Sequence, residues 1–441
     1  MRRKHLLLLA CSFGLALVAT CINQVRNASA TVPGNNTRIS LTSSGGATNG
    51  ESQHPLITED GKMIAFYSES TSMVPGDNNA VGDVFVRNIS AGTNTRVSVS
   101  TSGAQADNGV SLSAMSQTGR YIVMRSQASN LIDGTTTPTT NAHLYVRDTL
   151  ANTTTLITQT ASGTLANGSS EALDISYDGR FVLLTTTATN LGSTVPSPYY
   201  SLYLLDRSTG TFTLVNGPTG SGSASNLVVS QAKMSCDGSF VVFKDTQSLI
   251  SSSGSRVTTL LFDRRNGDKL TDITPTANQP TFNPTISCNG RYIAFASTAS
   301  NLDPLVTNNN YYHAYAYDRI NGTTSLLDQT TSGTVANYGV MNNSSAIVFM
   351  TISDNGVAIF PSSASNLGSS NSYGQLYVRD PKSSTTDILT QYSGTVADSS
   401  SYRPSITNDG KLVTYESYAT NLTATSDSNG MQDIYLSETG L

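Results

Sequence analysis

The sequence contains no tryptophan and few charges: Asp, Glu, Lys and Arg make up 12% of its 441 residues, against roughly 25% in an average globular domain. Its polar surface must therefore be carried by Ser, Thr and Asn. The net charge is −5, with no basic cluster beyond the first residues. Nucleic acid and anionic lipid are accordingly not expected as partners. No nucleophile elbow Gly-x-Ser-x-Gly, no His-Glu-x-x-His and no phosphate-binding glycine-rich loop occurs. The usual signatures of hydrolases, metallopeptidases and nucleotide binders are thus missing. What is present is 37% hydrophobic residues, arranged in short alternating runs that can build a core, so disorder is not expected.

The only long apolar stretch is N-terminal. Arg2, Arg3 and Lys4 precede Leu6 to Thr20, which is too short to span a bilayer, and Ala28-Ser29-Ala30 fits a small-residue cleavage site. Residues 1–30 read as a secretory signal peptide and 31–441 as a single mature domain. Two rivals stand beside simple secretion. The stretch could stay as an uncleaved anchor, or Cys21 could be lipidated, although Thr20 stands where a lipobox usually has Gly or Ala. After cleavage Cys236 and Cys288 alone remain, and export makes a disulfide between them chemically permissible.

A tight-turn signature recurs seven times, at Asp60-Gly61, Thr118-Gly119, Asp178-Gly179, Asp237-Gly238, Asn289-Gly290, Asn355-Gly356 and Asp409-Gly410, about 58 residues apart. Asp-Gly or Asn-Gly between alternating apolar runs signals a hairpin, here expected as a two-residue type I′ turn with positive φ at both positions. Each period holds four strand-like runs. In the first they are Pro55 to Thr58, Lys62 to Ser68, Asp83 to Asn88 and Thr95 to Ser100. The third run recurs as His143 to Asp148, Ser201 to Asp206, Thr258 to Asp263, His313 to Asp318, Gln375 to Asp380 and Asp433 to Glu438. Its closing acid lies four residues before a glycine at Asp206, Asp263 and Asp318. A short acceptor there bonds the amides of its own turn, which makes these acids structural candidates.

Four antiparallel strands make one propeller blade, and seven periods make a seven-bladed β-propeller. The seventh period stops after its third strand, while Thr37-Arg38-Ile39-Ser40-Leu41 matches the fourth-strand run Thr95-Arg96-Val97-Ser98-Val99. The N-terminal strand is therefore expected to complete the last blade and close the ring.

Asp178-Gly179-Arg180-Phe181-Val182, Ala299-Ser300-Asn301-Leu302 and Leu376-Tyr377-Val378-Arg379-Asp380 resemble the WD40-like, TolB-type (PD40) propeller repeats of exported bacterial proteins. The Ala-Ser-Asn-Leu element recurs with variation at Ala128 to Leu131, Ala188 to Leu191, Ala364 to Leu367 and Ala419 to Leu422. The resemblance spans about Thr37 to Leu441 and implies the fold. It does not imply one function, since such propellers serve as scaffolds, lyases and peptidase caps alike. The missing tryptophan excludes the Asp-box of sialidase propellers.

Site candidates follow from the phase of the repeat. Counting back from each marker glycine places His54, Leu112, Ala172, Gln231, Asn283, Phe349 and Arg403 as a ring of first residues on the inner strands, with Glu171 and Tyr402 just before them. Of these, His54, Glu171, Gln231, Asn283, Tyr402 and Arg403 are the candidate ligand-facing residues at a channel mouth. Asp77, Asn79 and Asp83, and likewise Asp427, Asn429 and Asp433, offer alternating oxygens that calcium could use, although the same residues are ordinary turn formers. His143 and His313 fall at equivalent positions three blades apart, too far to share an ion at ligand distances of about 2 Å. Cys236 and Cys288 occupy equivalent sites in neighbouring blades. They are bridged only if their Cα atoms come within the ~7 Å limit for a disulfide. The expected function is a secreted, monomeric, non-catalytic binding propeller with a protein or glycan partner and no cofactor beyond possible calcium. The alternative is an extracellular polysaccharide lyase or hydrolase with its site at the channel mouth.

Overall fold

The computed structural model describes residues 35–441 apart from 139, 193–200, 218–230, 246–256, 308–310 and 341–348. The expected signal peptide and Cys21 lie outside the described residues. Seven four-stranded antiparallel sheets form the blades of a propeller. Their inner strands are Ser52–Ile57, Val110–Met115, Ser170–Ile175, Ala232–Met234, Thr281–Ile286, Thr351–Ile352 and Ser401–Ile406, and each touches the next around a closed ring. Among the described residues a separate apolar cluster fills each gap between neighbouring blades, such as Val123, Val182, Leu184 and Tyr203 between blades two and three. The core is thus divided into wedges, and the alternation of each strand supplies two of them.

Closure occurs as the repeat phase requires. Asn36–Arg38 is the outer strand of blade seven and pairs antiparallel with Asp433–Glu438, Asn36 opposite Ser437 and Arg38 opposite Tyr435. The guanidinium of Arg38 meets Asp427 at 2.9 Å and Asp433 at 2.5 Å. The fourth strand of blade one runs Thr93–Arg96, starting two residues and ending four residues earlier than the sequence suggests, because Ser98 turns its hydroxyl inward onto Asp83 at 2.5 Å.

The hairpins are not type I′ turns. In Thr58-Glu59-Asp60-Gly61 the Gly61 amide donates to Thr58 O at 3.0 Å, the Thr58 amide donates to Met63 O at 3.0 Å, and only Gly61 takes a positive φ, +69°. This four-residue loop replaces the two-residue turn because the preceding hydroxyl takes part. Thr58 Oγ1 donates to Asp60 Oδ1 at 2.7 Å and accepts from the Met63 amide at 3.1 Å. The same clamp recurs at Ser176 with Asp178 and Phe181. Glycine is also required sterically. At Gly179 a Cβ would lie 2.3 Å from the Tyr121 ring of the blade before.

A buried polar pair joins the first residue of strand three to the second residue beyond strand four. It is Asp83 with Ser98, His143 with Thr158 at 3.2 Å, His313 with Asp328 at 2.8 Å, Gln375 with Thr390 at 2.6 Å, and Asp433 with Ser40. The same outer groups accept a main-chain amide, as Thr158 Oγ1 does from Leu144 at 3.1 Å and Asp328 Oδ1 from Ala314 at 3.1 Å. Both histidines are therefore parts of this repeating pair. The acids that close strand three cap their turns: Asp206 accepts from the Ser208 amide at 3.0 Å and binds Arg180 at 2.7 Å.

Candidate functional site

Of the channel-mouth candidates, His54, Asn283 and Arg403 lie in the third position of their inner strands, at β-bulges, whereas Glu171 and Tyr402 take the second position and Gln231 stands just before Ala232–Met234. Pairing slips by one residue between Gln53 and Leu56, between Phe282 and Thr285, and between Tyr402 and Ser405. In these three blades the bulged residue is non-glycine with a left-handed backbone: His54 at φ 57°, Asn283 at φ 52° and Arg403 at φ 49°. Such a conformation is costly for a side-chain-bearing residue, and a bulge re-aims the side chain it carries. Each is followed by a proline, Pro55, Pro284 and Pro404. Proline is tolerated there because a bulge already removes a ladder hydrogen bond.

Blades seven and one bring three of these groups together. The His54 amide donates to Glu416 Oε2 at 2.7 Å, and Glu416 Oε1 lies 3.4 Å from Arg403 Nε. The Arg403 guanidinium sits over the Phe349 ring, 4.7 Å from its centroid. Burial and the neighbouring Arg403 charge hold the His54 imidazole down at about 4, so it is neutral at physiological pH. Burial raises the Glu416 carboxyl, opposed by the His54 amide and by Arg403. Glu171, from blade three, lies within electrostatic reach of Arg403.

Blades four and five assemble a second group. Gln231 Oε1 accepts from the Asn283 amide at 3.4 Å, and the Lys244 amide donates to Gln231 O at 3.2 Å. The Lys244 ammonium stands 5.3 Å from the centroid of Phe282. Burial pulls its pKa down. Tyr402 and Tyr418 stand 45% and 41% exposed beside Arg403 and Glu416. Sequence reasoning therefore missed Glu416, Lys244 and Tyr418. All three belong to second strands or the loops after them, whereas the count from the glycines reaches only inner strands.

Both oxygen clusters proposed for calcium are assembled, and an arginine occupies each. Arg96 lies 2.9 Å from Asp77 and 3.4 Å from Asp83, with Asn79 bonded to Asp83 at 3.1 Å. Arg38 stands between Asp427 and Asp433 in the same manner, with Asn429 bonded to Asp433 at 3.1 Å. A guanidinium where a cation would sit neutralises the carboxylates itself. Among the described residues no group of three or more His, Cys, Asp or Glu is placed to hold a metal ion.

At the opposite mouth the hairpin tips converge. The Tyr177 amide donates to Cys236 O at 2.6 Å, the Cys236 amide to Cys288 O at 2.8 Å, and the Tyr177 hydroxyl reaches Glu59 of blade one at 2.7 Å. This convergence brings the Cα atoms of Cys236 and Cys288 to 4.6 Å, and their sulfurs are bonded. A cleft of about 430 Å³, lined by Glu59, Asp60, Asp409 and Lys411 among others, opens on this face, away from His54 and Arg403.

No family model matches the chain, and no curated protein does. Among solved structures it is similar to an oligogalacturonate lyase in complex with manganese, at 12% identity and a TM-score of 0.51, covering 92% of this chain and 93% of that one. It is also similar to TolB from Acinetobacter baumannii, at 14% identity and a TM-score of 0.40, and covers 76% of itself and 62% of that chain. A prolyl endopeptidase matches at 10% identity and a TM-score of 0.48, over 90% of this chain and 51% of that one. The chain thus spans less than two thirds of that TolB. At these identities the likeness shows a shared propeller architecture and nothing more. No described helix is long and apolar enough to cross a membrane.

Proposed function

We propose that the chain acts outside the cytoplasm as a non-catalytic binding propeller that holds a protein or glycan partner at the mouth carrying His54, Arg403 and Glu416. The observation that carries this reading is that His54, Glu416 and Arg403 are locked to one another at this mouth. Glu416 is held by the His54 amide and Arg403, and His54 is held neutral, which fixes a recognition surface in place. The Cys236–Cys288 bond supports an oxidising compartment. A ring completed within one chain supports a monomer.

The second reading, a polysaccharide lyase or hydrolase, is favoured by one feature of the same cluster. A neutral imidazole beside a cation can accept a proton at neutral pH. Glycan-array binding and a turnover screen on polysaccharides, run on the wild type and on the double variant His54→Ala with Arg403→Ala, separate the two. Binding lost in the variant, with no turnover by the wild type, is expected. Turnover abolished by these substitutions would overthrow the scaffold reading.

A further inference from the structure

We infer that Arg403 is a preorganised carboxylate clamp and that the ligand of this mouth is an acidic glycan; the inference rests on the binding reading above. Arg403 is fixed from two sides. Its Nε faces Glu416 at 3.4 Å and its plane lies over Phe349 at 4.7 Å. Glu416 is in turn anchored by the His54 amide at 2.7 Å. The terminal amino groups of Arg403 carry no hydrogen bond or ion pair among the described residues, and the side chain is 34% exposed. An arginine held by its Nε and its face presents the remaining fork of parallel donors, which matches a carboxylate bidentately. Much of the ordering cost of the long side chain is met before the ligand arrives. The left-handed bulge at φ 49° carries the side chain to this place.

The surroundings distinguish an acidic sugar from an acidic peptide. Tyr402 and Tyr418 leave aromatic side chains partly exposed beside the clamp, a surface suited to the C–H faces of a pyranose. Glu171, felt by Arg403 from blade three, is an exposed acceptor for ring hydroxyls. Lys244 offers a second cation at the mouth. Its residue is 8% exposed, and its ammonium has no ion pair among the described residues and stands 5.3 Å from the Phe282 ring centroid. A cation without a counter-ion among these residues is free to pair with an anion of the ligand. A repeating uronate presents carboxylates, hydroxyls and apolar faces together, which is the combination these side chains offer to meet.

The test is calorimetric titration of the mature protein with an oligomer of hexuronic acid, with the same oligomer after reduction of its carboxyl groups, and with oligoglutamate of matched charge. The uronate is expected to bind, and carboxyl reduction to weaken it at least about tenfold, the scale of one charge-assisted pair. Arg403→Gln should give a similar loss, Arg403→Lys a smaller one, and Tyr402→Ala should weaken the uronate. Lys411→Gln, on the opposite face, serves as the control, and melting curves of each variant confirm folding. Equal affinity for the acid and reduced oligomers would overturn the clamp while leaving a glycan-binding reading intact. Tighter binding of oligoglutamate would overturn the glycan assignment in favour of a peptide, and failure of all three probes would overturn the proposal. Release of unsaturated or shortened uronate would refute the non-catalytic reading and leave the clamp standing.

Discussion

Replacing Arg38 by alanine tests ring closure and the arginine-filled carboxylate pairs at once. The Asp427 and Asp433 side chains beside Arg38 are 4% and 0% exposed, so its removal leaves two buried carboxylates without a counter-ion. Breaking a buried pair in this way costs about 3–5 kcal/mol, a large share of the ~5–15 kcal/mol that holds a typical domain folded. The loss should depend on pH. Burial and the nearby Asp427 already raise the Asp433 carboxyl in the folded state, while Arg38 lowers it. A raised carboxyl contributes stability that is present below its unfolded value of ~3.9 and is lost as pH rises through the folded value. Without Arg38 the folded value climbs further, so the deficit of Arg38→Ala is largest at neutral pH and shrinks in mild acid. Urea denaturation at several pH values measures this directly. Arg96→Ala, which empties the equivalent site inside blade one, is the matched control. It should show a similar shift in midpoint, whereas only Arg38→Ala should raise hydrogen exchange along residues 36–41 and blade seven. A loss below about 0.5 kcal/mol at neutral pH, the range of ordinary surface substitutions, would refute the reasoning.

Several other perturbations have defined outcomes. Replacing Cys236 and Cys288 together by serine opens a loop of 52 residues, for which the chain-entropy estimate is about 4 kcal/mol; the urea midpoint should fall while the circular dichroism of the folded state stays unchanged. Thr158→Val removes the acceptor of the buried Leu144 amide and should cost about 1–3 kcal/mol, read from the melting temperature. His54, whose folded value near 4 lies below its unfolded one near 6.5, should resist protonation by NMR down to about pH 4. Because the unfolded chain takes up that proton first, this group's contribution to stability should fall as pH drops from about 6.5 to 4. Calcium should leave the wild-type melting temperature unchanged, since Arg96 and Arg38 already fill both oxygen clusters; a calcium-dependent rise would show that the ion displaces them.

The architecture was legible because the repeat is written in local chemistry. Seven glycines, each needed at a hairpin, and a third strand whose bounds agree in every repeat locate the blades without tertiary information. The displaced fourth-strand sequence at Thr37 to Leu41 gives the closure. The turn type was misread because the dipeptide alone favours a two-residue loop, and the hydroxyl two residues before the Asp or Asn, which lengthens it, is silent in that rule. The oxygen clusters proposed for calcium were legible only in part. Their ligand-like spacing was visible, but the arginine that fills each comes from the fourth strand, which in blade seven lies at the far end of the sequence. The bridge between Cys236 and Cys288 depended on how far hairpin tips lean toward the channel, a distance that equivalence in the repeat does not set.

The mouth was the least legible part, and the cause is the bulge. Period-two alternation assigns each side chain to one face of a blade, and one extra residue cancels that assignment at the point where the strand meets the channel. Yet the departures were marked: His54-Pro55, Asn283-Pro284 and Arg403-Pro404 place proline within runs that otherwise read as inner strands. At the equivalent positions of blades two and three, Leu112-Ser113 and Ala172-Leu173 lack the proline, and neither Leu112 nor Ala172 takes a positive φ. Residues that obey the repeat, including His143, His313 and the acids closing strand three, prove to bond their own blade. Those that break it reach across blades: His54 to Glu416, Asn283 to Gln231 and Arg403 to Phe349. In a ring built from seven near-copies, the blade-to-blade differences are where a single ligand can be told apart from seven equivalent surfaces, which is why the asymmetric cluster around Arg403 carries the functional proposal.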